Sequence, residues 1–116
     1  MTDDRMLSLA AGTVLDCDPA RTIEVAAAAG FPAAGLWFDP ELWTDATTKA
    51  VRARLDDTGL IALDIEPVIL GRGADPGERL IEAADALDVP FLLCASGPAD
   101  RGEVIASGDR RALEGD

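Results

Sequence analysis

The sequence predicts an α/β protein built on a parallel sheet, and three observations carry that reading. Four apolar, strand-like runs alternate with four helix-like stretches, at Met6 to Ala11, Ala34 to Phe38, Leu60 to Val68 and Phe91 to Ala95. Strands alternating with helical patterns imply right-handed crossovers and parallel pairing. The unit also repeats at longer range. Asp18-Pro19, Ile23-Glu24 and Pro32 recur as Asp75-Pro76, Ile81-Glu82 and Pro90, each 57 or 58 positions later, so two strand-helix units form one repeat. Finally, 116 residues with 48% hydrophobic and 28% charged side chains suit one domain with a modest core.

The first helix is predicted from Asp18 as N-cap and Pro19 at the first helical position, where a missing N–H costs nothing. It runs to Ala29, with Ile23, Ala26 and Ala27 as a narrow packing face and Gly30 as its stop. Thr44 or Asp45 caps the second helix, which buries Thr48, Val51 and Leu55, turns Lys49, Arg52, Arg54 and Asp56 to water, and ends at Gly59. Asp75-Pro76-Gly77-Glu78 opens the third with a capping-box-like spacing, and Leu80, Ile81, Ala84 and Leu87 form its buried stripe. Residues 97–116 take the place of a fourth helix but contain only Val104, Ile105 and Leu113 as large apolar residues, so a disordered tail is expected.

The balance of 10 basic against 22 acidic residues, a formal charge of −12, argues against a nucleic-acid partner, because such binding rests on cationic neutralisation of phosphates. No run approaches the roughly 18 apolar residues of a membrane span, and the acidic N-terminus is unlike a signal peptide, so a cytoplasmic protein with no membrane partner is expected. Cys17 and Cys94 lack any disulfide or zinc spacing. Cys17 precedes a helix N-terminus, a setting that can activate a thiolate, yet the chain has no histidine to serve as its base. The missing histidine also removes His-based triads and the commonest metal ligand.

In parallel α/β folds ligands bind at the carboxyl ends of the strands. That rule nominates Gly12-Thr13, Trp37 to Asp39, Asp64 to Glu66 and Ser96-Gly97. In the third strand, alternation puts Ile61, Leu63 and Ile65 on one face and Ala62, Asp64 and Glu66 on the other. Glu66 reads equally as lining a polar cavity or as lying at a solvated strand end, and Asp64 reads as a hydrogen-bonded structural carboxylate. Trp37 is either an apolar wall over a substrate or a packed core side chain, and Trp43 is a packing plug. The loop Gly71 to Gly77 has the wrong glycine spacing for a phosphate cradle.

LSLAAGTVLD, the Asp-Pro helix start, AAAAGFPAAGLWFDPELW, VRARLDDTGLIALDIEPVIL and AADALDVPFLLCAS together resemble the first half of a sugar phosphate isomerase/epimerase, over about residues 6–96. The resemblance implies a xylose isomerase-like TIM barrel, with about four of its eight βα units here: residues 1–96 as the N-terminal half and 97–116 as a divergent tail. It implies a small sugar or polyol as substrate, with Trp37 and Glu66 as substrate-binding residues. The divalent metal of full-length relatives (Mg2+, Mn2+ or Zn2+) and their catalytic residues would belong to the other half, so no cofactor, metal ligand or catalytic residue is expected in this chain. The break after Ser96 raises the expectation of a truncated gene product, inactive alone. Four strands leave two open edges, so a homodimer or a complementary half-barrel is the expected partner. A non-catalytic small-molecule-binding or association module on an open four-stranded sheet is the rival reading.

Overall fold

The computed structural model describes residues 5–70 and 77–96. The capping motif of the third helix at Asp75-Pro76, the loop from Gly71 and the tail from Gly97 lie outside the described residues. In chain order the elements are β1 (Ser8–Leu9), a 3-10 turn (Ala11–Val14), α1 (Pro19–Ala28), β2 (Ala33–Trp37), α2 (Asp45–Thr58), β3 (Ile61–Leu70), α3 (Gly77–Ala86) and β4 (Phe91–Ser96). The strands form one parallel sheet in the order β1-β2-β3-β4. Four consecutive parallel strands connected by three helices in this way have the architecture of half a TIM barrel. The first strand is shorter than the sequence suggests, because the chain turns into the 3-10 segment at Ala11.

Local chemistry fixes the helix ends where the sequence places them. The Asp18 side chain accepts from Arg21 N–H at 2.8 Å, ahead of Pro19. Thr44 caps α2 through a reciprocal capping box with Thr47. Gly59 closes α2 with a left-handed backbone (φ 70°) and donates its N–H to Leu55 O at 2.9 Å.

Helices cover one face of the sheet. Ile23 and Ala26 of α1, Val51 and Leu55 of α2, and Leu80, Ala83, Ala84 and Leu87 on and after α3 pack with Ala34, Leu36, Phe38, Ala62, Ile65 and Val68 in one core. Ala83 takes the place expected for Ile81, which is only half-buried, and Ala27 and Thr48 also stay at the margin. Arg52 and Arg54 do not simply face water. Arg54 Nε donates to Glu24 Oε1 at 2.7 Å, tying α2 to α1, and Arg52 donates to Leu87 O and Asp88 Oδ2, both at 3.3 Å, tying α2 to the end of α3. Among the described residues, no helix is long and apolar enough to cross a membrane.

The face assignment of β3 needs correction. Ala33 and Ala34 pair with Ile61 and Ala62, but Gly35 pairs with Asp64, so β3 carries one extra residue, Leu63, at a bulge. Ala62 and Ile65, three positions apart, therefore both reach the helix-side core, instead of Ala62 sharing a face with Asp64. Asp64 and Glu66 do share the opposite face, with their register partners Gly35 and Trp37.

Gly35 is required by this arrangement. A Cβ there would run into Asp64 Oδ1 and stand 3.2 Å from Ala11 N, so the glycine makes room for the carboxylate and the turn after β1 together. Gly35→Ala should destabilise the fold by about 2 kcal/mol, as overpacking does. In urea unfolding, adding Asp64→Ala to that variant should recover part of the loss; no recovery would mean that the Asp64 side chain is not what the glycine accommodates.

Candidate functional site

Trp37 closes β2 and Glu66 is its partner in the middle of β3, which runs on to Leu70, so the two lie side by side at the carboxyl end of β2, on the face that none of the described helices covers. The backbone continues the pairing one step on, where Phe38 N–H donates to Glu66 O at 2.6 Å. A second register shift follows at once. Ile65 pairs with Leu92 but Val68 with Cys94, so the extra residue falls within Glu66-Pro67, joined by a cis peptide bond. Proline has no N–H for the ladder, which is why a strand interior tolerates it at an irregularity. Bulges thus flank Asp64 and Glu66 on both sides.

Glu66 is half-buried, and its pKa is raised above the ordinary glutamate value, first by loss of solvent and then by the neighbouring Asp64 carboxylate. Trp37 is 40% exposed and belongs to no core cluster, so it is not a packed core side chain. Trp43 packs as expected. It is 5% exposed, donates Nε1–H to Thr48 Oγ1 at 2.8 Å, and its ring lies 5.1 Å from that of Phe38.

Trp37 and Trp43 also line a cleft of about 550 Å3 between the N-terminal ends of α1 and α2. Leu15, Pro19, Leu42 and Ala50 supply further apolar wall, and Asp18 and Asp39 supply its charge. The cleft was not legible in sequence because its walls come from two separate stretches, residues 15–20 and 37–50, that only the fold brings together. Its floor is held by a residue that sequence reasoning passed over. Arg79 of α3 donates to Pro40 O at 2.9 Å and to Trp43 O, and its guanidinium stands 5.9 Å from the centre of the Phe38 ring. Of the other nominated places, Gly12 and Thr13 lie exposed in the 3-10 turn, and Gly97 lies outside the described residues.

The donor set does not fit a divalent metal. Among the described residues no group of three or more His, Cys, Asp or Glu side chains could hold one, and the chain has no histidine. Asp64 and Glu66 are two carboxylates with no third such ligand grouped with them among the described residues, and no chemistry is routed through a metal here.

No protein-family model matches the chain, and no curated protein matches it. Several solved structures share its fold, and two illustrate the likeness. One is a xylose isomerase-like TIM barrel/4-hydroxyphenylpyruvate dioxygenase fusion protein, 19% identical, with a TM-score of 0.67 over 93% of this chain and 20% of that one. The other is protein SMc04130 from Sinorhizobium meliloti 1021, 16% identical, with a TM-score of 0.62 over 94% of this chain and 43% of that one. At these identities the likeness is one of fold, and the chain spans less than half the length of either protein.

The raised pKa of Glu66 has a direct consequence for stability. A carboxyl whose pKa is higher folded than unfolded favours folding below its unfolded value, and that contribution is lost as pH rises through the folded value. Glu66→Gln should therefore melt higher than wild type at pH 7, with the difference shrinking as pH falls toward 4. A constant difference across that range in thermal unfolding would rule out Glu66 ionisation as its source.

Proposed function

We propose that this chain is a sugar- or polyol-binding unit of a sugar isomerase/epimerase-like barrel, and that it does not isomerise sugars alone. The observation that carries this reading is the pairing of Trp37 with Glu66 on the open face, where β2 ends. A polyol presents hydroxyl donors along one edge and C–H groups along its face. A half-buried carboxyl group flanked by a second carboxylate accepts the former, and an exposed indole covers the latter. The fold shared with a xylose isomerase-like TIM barrel protein supports the sugar class.

Titration with xylitol followed by tryptophan fluorescence tests the binding half of the proposal. Saturable change in wild type and a loss of affinity of about tenfold in Glu66→Gln are expected, the order of one hydrogen bond to a charged group; an unresponsive wild-type chain would sink it. Incubation of the purified chain with xylose and Mg2+ or Mn2+ should give no ketose, and turnover would overturn the second half.

The uncovered face favours a second reading about assembly. Register puts Ile61, Phe91 and Leu93 on the same face as Asp64, and they are 44%, 61% and 46% exposed. We propose that a second copy of this chain covers them. A twofold axis along the strands brings β4 of each copy beside β1 of the other, parallel to it, closing eight strands through two identical seams. Sedimentation velocity should show a dimer that Phe91→Glu dissociates without unfolding, whereas a wild-type monomer at tens of micromolar would exclude this assembly.

A further inference from the structure

We infer that the cleft between α1 and α2 is a second binding site, for a small flat aromatic cation. Its volume of about 550 Å3 lies in the range of small-molecule sites, and its surface is mostly apolar. Leu42 is 74% exposed and Leu15 57%, beside the half-open indole of Trp37, so three large apolar side chains that the core does not use converge on one concavity. Bulky side chains left this open are a cost to the free protein that an apolar ligand removes.

Charge decides which ligand. Neither lysine nor arginine lines the cleft, and its charged groups are Asp18 and Asp39. Both are held in place by the fold. Asp18 Oδ1 accepts from Arg21 N–H at 2.8 Å and Asp39 Oδ1 from Glu41 N–H at 2.9 Å, so the two carboxylates are fixed at the ends of α1 and β2 rather than swinging free. Thr47 is likewise engaged, in the α2 cap. Two full negative charges outweigh the roughly half positive charge that each of the two helix N-termini brings to the cleft, so the field over the apolar wall is net negative, on a chain whose net charge is already −12. An anion is repelled from such a site and a neutral ring gains only the burial. A cationic ring gains burial, attraction to both carboxylates and a cation–π contact with the Trp37 face. This site is independent of Glu66, which does not line the cleft, although the two sites meet at Trp37.

The test uses the full chain and three probes of similar ring size: N-methylquinolinium, neutral naphthalene and naphthalene-1-sulfonate. Isothermal titration at low salt should show N-methylquinolinium binding about tenfold or more tighter than the sulfonate, in line with two nearby charges acting through a surface dielectric. Ala46→Phe, at an exposed helical position on the cleft wall, should fill the site and abolish binding while leaving the xylitol response intact. The double variant Asp18→Asn and Asp39→Asn, whose side-chain oxygens can still accept from the Arg21 and Glu41 N–H groups while both charges are removed, should erase the preference for the cation. Equal affinity for cation and sulfonate, or cation binding that survives Ala46→Phe, would overturn the proposal. Loss of the xylitol response in Glu66→Gln with cation binding retained would separate a failure at one site from a failure at the other.

Discussion

A strand that carries two carboxylates can enter this sheet only if its phase keeps both out of the core, and the bulge at Leu63 meets that requirement. Ala62 sits in the helix-side core at 2% exposure. Unbroken alternation from Ala62 would send Asp64 and Glu66 into the same layer, against Val51, Leu55 and Leu80. Burying an unpaired carboxylate there would cost several kcal/mol or force it neutral. One extra residue resets the phase, so Ile65 packs under the helices and the acids turn outward. Gly35 then provides the space that Asp64 occupies on the far side.

Much of the fold was legible because much of it is local. Asp18-Pro19, Thr44 and Gly59 mark helix ends by hydrogen bonds spanning three or four residues, and each acts where the sequence suggests. The bulge was not legible, since Ile61, Leu63 and Ile65 alternate with Ala62, Asp64 and Glu66 well enough to imitate a regular strand. Alanine is small enough for either face, so only pairing with β2 reveals the slip. The site was half legible for the same reason. Trp37 and Glu66 follow from the rule that ligands gather at strand ends, but the cleft and the bonds of Arg79 depend on residues far apart in sequence.

Arg79 links the core to the site. It sits two residues into α3, next to the buried Leu80, and reaches the carbonyls of Pro40 and Trp43 in the β2–α2 connection. That connection carries Asp39, Leu42 and Trp43, three of the residues lining the cleft. The docking of α3 against the sheet therefore adds to what already holds this loop: the Phe38–Trp43 ring contact, the Trp43–Thr48 hydrogen bond, and the bonds that Glu41, Leu42 and Trp43 N–H donate to Asp39. A guanidinium is suited to this task because its planar fork can serve two carbonyls while its face covers an aromatic ring.

The placement of the basic side chains narrows the chemistry of both sites. The helix arginines are committed elsewhere: Arg21 and Arg54 to Glu24, Arg52 to Asp88 and Leu87, and Arg79 to Pro40 and Trp43. All four serve to hold helices or loops together, and none lines the cleft. On the open face, the charged partners set beside Trp37 and Gly35 are Glu66 and Asp64. A phosphate group needs a cation or a set of free N–H donors, and beside these carboxylates it would meet repulsion. If a sugar binds beside Glu66 as proposed, the electrostatics favour a neutral polyol over its phosphate ester.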